Sequence, residues 1–264
     1  MLGFIGTGNM ATAIIKGIVA SDMLKGEDIA VYDIAEDKAK ALAEEYGVKV
    51  FDSENDIAKN CDKVVLSVKP NVFPLLLSKI DAELKECNPL IISIAAGKTI
   101  DFISGCLSYD AKIVRVMPNI NAKVAGAVSA YCGKENVSED ELEFVRALCE
   151  SFGIAVNINE NLFSTYSAIG GCSPAFVYMF IDSLARGAVK NGMPKSQALE
   201  VAAGAVLGSA KMILESDEHP WALVDQVCSP GGTTIEGVTS LKNDGFESAV
   251  MNAVQAAIDK DKRL

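Results

Sequence analysis

The sequence has little of what a metal centre or a disulfide framework requires. Its single histidine, His219, directly precedes Pro220, and its seven cysteines are spread along the chain without a Cys-x-x-Cys pair. An odd number of scattered cysteines is typical of reduced thiols in a cytoplasmic protein. We therefore predict no metal site and a cytoplasmic location, and we expect His219 at the surface or at the start of a helix.

Positive charge is also scarce. The chain has 24 Lys+Arg against 35 Asp+Glu, which gives a formal net charge of −11. Nucleic acids and anionic membranes attract positively charged surfaces, so we expect neither as a partner.

Long uninterrupted apolar stretches are rare. No basic segment precedes the first apolar run, as a signal peptide would require. Residues 162–181 carry no formal charge and are long enough to raise the question of a membrane span. Serine, threonine, glycine and proline residues interrupt this stretch, so we expect a buried helix in a soluble protein.

The first 160 residues alternate between short apolar runs and helical patterns. This alternation predicts an α/β fold with a Rossmann-type, doubly wound parallel sheet. Strands are predicted at residues 2–6, 29–33, 48–51, 64–68, 90–95, 113–116, 127–131 and 155–158. Helices are predicted at residues 9–23, 36–46 and 72–87, and the capping box Ser138-x-x-Glu141 predicts the start of another.

From residue 159 onward the pattern is helical only. Helices are predicted at residues 174–190, 196–215, 221–227 and 247–260. Their wide apolar faces predict burial against a second subunit, as a dimer or a ring of dimers. We therefore predict a dinucleotide-binding Rossmann domain at 1–158 and an all-helical substrate-binding and dimerisation domain at 159–264.

A glycine-rich turn, Gly6-Thr7-Gly8-Asn9-Met10-Ala11, follows the first predicted strand and opens the first helix. This context is what makes the Gly-x-Gly-x-x-Ala pattern typical of dinucleotide binding. Gly6 permits a tight turn and Gly8 permits the close approach of a pyrophosphate, which the helix N-terminus stabilises. The sequence thus predicts a dinucleotide cofactor at this turn.

Asp33 ends the second predicted strand, and no arginine follows within residues 34–42. A carboxylate at this position can accept hydrogen bonds from the adenosine ribose of NADH and repel the 2′-phosphate of NADPH. We therefore expect NADH to be the better, or at least an equal, donor. The alternative, that Asp33 caps the next helix or faces solvent, remains open.

A second glycine-rich segment, Ser229-Pro230-Gly231-Gly232-Thr233-Thr234, is predicted as a loop. Glycines let a ligand carboxylate approach backbone N–H groups, and successive N–H groups form an anion-binding concavity. We expect Ser229, Gly231, Gly232, Thr233 and Thr234 to bind a small carboxylate substrate. Within this set, Thr234 is the candidate catalytic residue, because a hydroxyl both donates and accepts hydrogen bonds.

The two glycine-rich segments together resemble the pyrroline-5-carboxylate reductase family, and the similarity extends over nearly the whole chain. It includes Ser67-Val68-Lys69-Pro70, Ala95-Ala96-Gly97 and Arg115-Val116-Met117-Pro118-Asn119. The resemblance implies reduction of the C=N bond of 1-pyrroline-5-carboxylate to L-proline, the last step of proline biosynthesis, by NADH or NADPH. An iminium substrate arrives activated, so no histidine or cysteine acid is required.

The resemblance also implies site residues. The implied cofactor contacts are Ile5, Gly6, Thr7, Gly8, Asn9, Met10, Ser67, Val68, Lys69, Pro70, Ala95, Ala96, Gly97 and Gln226. Met117, Asn119 and Glu160 are implied near the substrate, where Glu160 would favour a cationic ring nitrogen. We expect Arg115 to be a structural ion-pair partner rather than a substrate contact. Lys69 is equally consistent with a cofactor contact and a solvated strand end.

Two features depart from the family pattern. Many members have Gly-Ser-Gly-Pro-Ala-Tyr where this chain has Gly171-Cys172-Ser173-Pro174-Ala175-Phe176, which would alter the entry to the long helix. Relatives that use NADP often carry serine, asparagine and arginine around the position of Asp33, whereas this chain does not.

Two other functions fit parts of the sequence. A reductase or dehydrogenase of another small imine or hydroxy acid would share the Rossmann start, but a β-hydroxyacid dehydrogenase would offer a lysine on the long helix, and residues 174–180 contain none. A non-catalytic nicotinamide-nucleotide sensor would have no use for the segment 229–234.

Overall fold

The computed structural model describes residues 1–263 and divides the chain into two compact units. The first, here the sheet unit, comprises Met1–Gly171 and the last residues from Asp261; the second, here the helical unit, is Cys172–Lys260. The predicted change of domain at residue 159 coincides with the end of the last strand, whereas the sheet unit continues to Gly171.

The sheet unit contains a single eight-stranded sheet in the order β3-β2-β1-β4-β5-β6-β7-β8. Its strands are β1 Leu2–Ile5, β2 Ile29–Tyr32, β3 Lys49–Val50, β4 Lys63–Leu66, β5 Leu90–Ser93, β6 Ile113–Met117, β7 Ala127–Gly133 and β8 Gly153–Asn157. The first six strands are parallel, β7 is antiparallel to β6, and β8 is parallel to β7. The strand order reverses between β1 and β4, which is the point where open α/β sheets bind ligands.

Helices of the sheet unit cover both faces of the sheet. They are α1 Asn9–Ala20, α2 Glu36–Tyr46, α3 Glu54–Asn60, α4 Phe73–Cys87, α5 Ile100–Ser104, α6 Glu139–Glu150 and α7 Phe163–Tyr166. The capping box that was predicted at Ser138 is confirmed: its hydroxyl accepts a hydrogen bond from the Glu141 N–H at 3.3 Å, and the Glu141 carboxylate accepts one from the Ser138 N–H at 3.0 Å.

Two apolar cores lie on opposite faces of the sheet because successive strand residues point in opposite directions. Phe4 belongs to the core that includes Ile15 of α1, whereas its neighbour Ile5 belongs to the core that includes Phe73 and Leu77 of α4. All five side chains are at most 2% exposed. The end of β1 is therefore fixed from both faces, and the residues that follow it have a rigid support.

The helical unit has five helices and little core of its own. Its helices are α8 Ser173–Lys190, α9 Lys195–Glu215, α10 Pro220–Val227, α11 Thr233–Asn243 and α12 Phe246–Asp261, the last residue of which belongs to the sheet unit. Its apolar cluster consists of Ala185, Ala198 and Ala202, where α8 packs on α9. Many of its large apolar side chains are exposed, including Leu207 at 73%, Leu214 at 69% and Met251 at 71%.

Two helical stretches, Glu160–Lys190 and Lys195–Glu215, have the length and composition of membrane-crossing helices. In their most apolar windows, only 22% and 11% of the residues are buried within the chain. The stretch that was expected to be a buried helix, residues 162–181, is only partly buried in the single chain.

The predicted fold class, a Rossmann-type sheet followed by helices, is confirmed. Four helices, α3, α5, α7 and α11, were not predicted. Two of them begin at a hydroxyl that accepts a first-turn N–H, Ser53 for α3 and Thr99 for α5. The segment 229–234 is not a continuous loop, because Thr233 and Thr234 are the first two residues of α11.

Candidate active site

The glycine turn leaves β1 as predicted. Gly6 has φ +98°, and a side chain there would lie 2.8 Å from the Ser67 carbonyl oxygen, so only glycine fits. Gly8, in contrast, has φ −69°, and a side chain there would meet nothing within 4 Å. The space above Gly8 is open to a ligand, which is the property that a pyrophosphate site needs.

The N-terminus of α1 fits an anion. Its N-cap is Gly8, which has no side chain to accept the first N–H groups, and its first turn carries no acidic residue. The helices α2, α3 and α6 each have at least two acidic residues in the first turn. Free N–H groups and the helix dipole both favour negative charge, so α1 is suited to bind the phosphates of a dinucleotide.

The segment after β4 holds the glycine turn in place. The Ser67 hydroxyl lies 2.6 Å from the Gly6 carbonyl oxygen and 3.0 Å from that of Ile5. Lys69 is exposed, and Pro70 begins a single turn of 3₁₀-helix that leads into α4. These residues and Val68 therefore lie beside the turn, on the other side of the reversal in strand order.

Asp33 is connected to the same turn. Its Oδ2 accepts hydrogen bonds from the Thr7 N–H at 2.7 Å and from the Thr7 hydroxyl at 2.9 Å, and its Oδ1 accepts one from the Ala35 N–H at 2.8 Å. Thr7 is only 4% exposed. The structure thus joins two residues that sequence reasoning treated separately, and a separation of 26 positions gave no signal of the contact.

The surroundings of Asp33 favour its ionised form. Partial burial raises the pKa of this carboxyl, but hydrogen bonds from Ala35 and from both donors of Thr7, together with Lys38, outweigh the burial and hold the pKa below its ordinary value. The next residue, Ile34, is 92% exposed. The surface beyond Asp33 is therefore open to solvent, and the Asp33 carboxylate carries a negative charge there.

Two further predicted segments follow parallel strands at the same edge of the sheet. Ala95, Ala96 and Gly97 come after β5, and Gly97 has φ +71° with open space where a side chain would lie. Met117 ends β6, and the amide of Asn119 donates to the Gly170 carbonyl oxygen at 2.9 Å. Asn119 also caps the single turn that follows, since its Oδ1 accepts from the Asn121 N–H at 3.2 Å.

Glu160 is held by an arginine. Its Oε1 lies 3.0 Å from the guanidinium of Arg115 and accepts a hydrogen bond from the Ile100 N–H at 2.8 Å. The guanidinium also stacks over the ring of Phe163, with its carbon 4.2 Å from the ring centroid. Arg115 is thus a structural ion-pair partner, as expected. Because the charge of Glu160 is already compensated, this geometry lends no support to its predicted effect on a cationic ring nitrogen.

In the helical unit, the segment 229–234 forms a tight turn into α11. The Gly232 N–H donates to the Ser229 carbonyl oxygen at 3.0 Å, and a side chain on Gly232 would lie 2.3 Å from the Ser229 hydroxyl. Gly231 has φ +67° and open space beside it. Gly232 is the N-cap of α11 and provides no side-chain cap, so the first N–H groups of the helix remain for a ligand.

The two threonines occupy the first turn of α11. Thr233 is exposed and Thr234 is half-buried. Gln226, the remaining predicted residue, is exposed on α10. At the start of α10, His219 is the N-cap, and its Nδ1 accepts a hydrogen bond from the Trp221 N–H at 3.2 Å, which confirms its predicted place at a helix start.

Neither metal nor disulfide chemistry has a site in residues 1–263. No group of three or more His, Cys, Asp and Glu side chains in that range is arranged to hold a metal ion. All seven cysteines are free thiols.

Comparisons with known proteins agree with this arrangement. Residues 160–264 match the family described as pyrroline-5-carboxylate reductase dimerisation, and residues 1–97 match the family described as NADP oxidoreductase coenzyme F420-dependent. Pyrroline-5-carboxylate reductase of Escherichia coli is 41% identical over 263 residues, which cover 100% of this chain and 97% of the relative.

Solved structures give the same result. The pyrroline carboxylate reductase of Plasmodium falciparum with NADP bound is 34% identical and has a TM-score of 0.85, covering 99% of this chain and 97% of that one. The enzyme from Coxiella burnetii is 29% identical with a TM-score of 0.95 over the same shares of the two chains. This chain therefore belongs to the pyrroline-5-carboxylate reductase family, as a homo-oligomeric, NAD(P)H-dependent oxidoreductase with a small-molecule substrate.

Proposed function

We propose that this chain reduces 1-pyrroline-5-carboxylate to L-proline with the residues described above. The observation that carries the proposal is the presence of two uncapped helix N-termini that begin at glycine, one at Gly8 in the sheet unit and one at Gly232 in the helical unit. The first suits the phosphates of the cofactor and the second suits a substrate carboxylate.

The substrate carboxylate binds at the start of α11. The N–H groups of Thr233 and Thr234 belong to the first turn and have no capping side chain, whereas the N–H of Gly232 is already used by Ser229. Gly231 leaves open space for the ligand. Ser229 therefore shapes the turn through its carbonyl, and the helix itself supplies the positive end of a dipole.

Thr234 acts on the ring nitrogen. Its hydroxyl donates to or accepts from that nitrogen as the C=N bond is reduced, while Thr233 supports the turn. The nicotinamide cofactor supplies the hydride. The chain contributes mainly by positioning, because an iminium carbon needs no general acid to become electrophilic. Met117, Asn119 and Glu160 are the residues of the sheet unit that we assign to substrate binding rather than to the reaction itself.

In the sheet unit, the cofactor is held by the turn 5–10 and by residues 67–70 and 95–97. In the helical unit, Gln226 stays a predicted cofactor contact. Asp33 faces the adenosine ribose and makes NADH the better or an equal donor, because its ionised carboxylate opposes a 2′-phosphate. Support comes from the lowered pKa of Asp33 and from the absence of arginine in residues 34–42.

The assembly is a dimer or a ring of dimers in the cytoplasm. We propose that the exposed apolar faces of α8 and α9 pack against another copy rather than against lipid. Support comes from the match to a dimerisation family and from the charged cluster of Asp182, Arg186 and Lys195 that links the two helices. The net charge of −11 argues against nucleic acid as a partner.

The test is the oxidation of NADH and NADPH by purified protein with 1-pyrroline-5-carboxylate, monitored by the absorbance of the reduced nicotinamide. We expect substrate-dependent oxidation of both donors. The matched control is 1-pyrroline, which has the same C=N bond without the carboxylate and should react far more slowly. The proposal would be overturned if NADH and NADPH were not oxidised at all, or if their oxidation required neither the imine ring nor the carboxylate of the substrate.

A further inference from the structure

Thr7 makes a contact that the cofactor-binding function does not explain. In a glycine turn the backbone approaches the pyrophosphate, so pyrophosphate binding alone does not require a hydroxyl at this position. Here the side chain is a hydroxyl that is directed at Asp33, at 2.9 Å, and the residue is buried, with only 4% of its surface exposed.

The distribution of hydrogen bonds over the Asp33 carboxylate is uneven. Oδ2 accepts two, both from Thr7, whereas Oδ1 accepts one, from Ala35. A carboxylate oxygen has two lone pairs in its plane, so Oδ2 is saturated within the chain and Oδ1 has one acceptor position left.

We propose that the Thr7 hydroxyl is a positioning and specificity-determining group: it fixes the Asp33 carboxylate so that one acceptor position on Oδ1 is directed to the adenosine ribose. Thr7 acts on the ribose only through Asp33. A hydrogen bond thereby connects the turn that binds the pyrophosphate with the carboxylate that binds the ribose. This inference rests on the proposed cofactor site.

The hydrogen bond between Thr7 and Asp33 affects which of the two donors, NADH or NADPH, binds more tightly. With three hydrogen bonds on its two oxygens, the carboxylate is held in one orientation and cannot move away from a 2′-phosphate. A ribose hydroxyl finds one fixed acceptor, while a phosphate meets a fixed negative charge. Removal of the Thr7 hydroxyl leaves two backbone N–H groups on the carboxylate, those of Thr7 and Ala35, so the carboxylate is held less firmly. This weakens NADH binding more than NADPH binding.

The experiment is a direct titration of the purified protein with NADH and with NADPH, without substrate, for the wild type and for Thr7→Val, Thr7→Ser and Asp33→Ser. We expect Thr7→Val to raise the Kd of NADH about three- to tenfold, a factor within the net contribution of one typical hydrogen bond. The Kd of NADPH should change less than twofold. Thr7→Ser restores the hydroxyl and should restore the wild-type ratio of the two Kd values.

Two comparisons separate positioning from a general effect on the turn. In the Asp33→Ser background, Thr7→Val should leave the ratio unchanged, because the group through which it acts is gone. Thr12→Val removes a neighbouring hydroxyl that lies 3.5 Å from the Thr7 carbonyl oxygen and does not contact Asp33, so it should leave both Kd values near those of the wild type.

Equally weakened binding of NADH and NADPH in Thr7→Val would overturn the inference. Both donors carry the same pyrophosphate, so an equal effect would show that the substitution acts only on the turn that binds it. An unchanged ratio would also overturn it. Binding without substrate keeps these outcomes distinct from a failure of the reductase activity, whereas a wild-type protein that binds neither nucleotide would remove the cofactor site and the inference together.

Discussion

The sheet unit and the helical unit bury their apolar residues to very different extents. The sheet unit has two extensive cores, which contain fully buried phenylalanine, leucine and isoleucine side chains on both faces of the sheet. The cluster of the helical unit consists of three alanines, and large apolar side chains along α8, α9 and α12 are exposed.

The difference in buried apolar residues shows where each unit obtains its stability. A buried leucine or phenylalanine contributes about 1.5–3 kcal/mol, and an alanine much less, so the sheet unit is stabilised by its own core. Helices are stabilised mainly by the packing of their apolar faces, which the helical unit lacks within one chain. Membership of a family with a dimerisation module supplies the missing partner, a second copy of this chain.

The largest expected effect comes from placing a charge on an exposed leucine of each unit. Leu207 of α9 is 73% exposed and Leu75 of α4 is 77% exposed, so the single chain does not distinguish them. If α9 lies in an interface, Leu207→Glu buries an unpaired charge and should cost about 3–5 kcal/mol. Leu75→Glu should stay within about 0.5 kcal/mol, as surface substitutions do.

Light scattering and thermal unfolding measure both effects. Leu207→Glu should dissociate or unfold the assembly and lower Tm by roughly 6–20 °C, whereas Leu75→Glu should leave the mass unchanged and Tm within about 2 °C. Equal, small effects of the two substitutions would show that the exposed face of α9 is not an interface.

The second-largest effect is expected on kcat, to which the helical unit contributes through Thr234. Thr234→Val should reduce kcat by about 10²–10³, the usual cost of removing one oriented transition-state contact, while NADH binding persists. Thr233→Val should cost less. The control Thr239→Val removes an exposed hydroxyl from the same helix, α11, and should leave kcat unchanged. Near wild-type turnover in Thr234→Val would remove its catalytic role.

The effect of the sheet unit on donor specificity should be smaller than the effect of Thr234→Val on kcat. We expect a preference for NADH of roughly five- to thirtyfold in kcat/KM, because the adenosine edge is open to water, where charge repulsion is screened. Asp33→Ser should reduce this ratio mainly by improving NADPH, and Ile34→Arg, at the 92% exposed neighbour, should reduce it further. Steady-state kinetics with both donors at one ionic strength measure the ratio, and a strong wild-type preference for NADPH would show that Asp33 does not face the ribose.

The smallest effect is the protection of thiols by the core of the sheet unit. Burial raises the pKa of the Cys61 and Cys132 thiols to about 11 and that of Cys149 to about 12. Because the thiolate is the reactive form, these three should resist iodoacetamide at about pH 8 in the native protein, whereas exposed Cys87 should react. Peptide mass spectrometry reads each site, with denatured protein as the control; labelling of Cys149 at the rate of Cys87 would show that this core opens readily.

Much of the fold was predictable because its signals are local. The periodicity of apolar residues indicated the strands and long helices, and the helix α2 was predicted with its observed bounds, Glu36–Tyr46. The start of α6 followed from the spacing of Ser138 and Glu141 alone. The turn at Gly6 and Gly8 was identifiable from its position between a strand and a helix.

The contacts that define the site were less predictable because they join distant positions. The spacing of Thr7 and Asp33, or of Arg115 and Glu160, contains no sign of a hydrogen bond or ion pair. The whole of α11, Thr233–Asn243, was also missed, since its N-cap is glycine and the usual capping hydroxyl or carboxylate is absent. That absence is itself functional in the proposed reaction, because it leaves N–H groups for the substrate.

The most direct test of the difference between the two units is analytical ultracentrifugation of the wild-type protein from nanomolar to micromolar concentration, with turnover measured on the same samples. If the helical unit is completed by a second copy, the mass should correspond to two or more chains, and activity should fall wherever monomer forms. A folded, fully active monomer at nanomolar concentration would contradict this interpretation and would require the exposed helices to be stable alone.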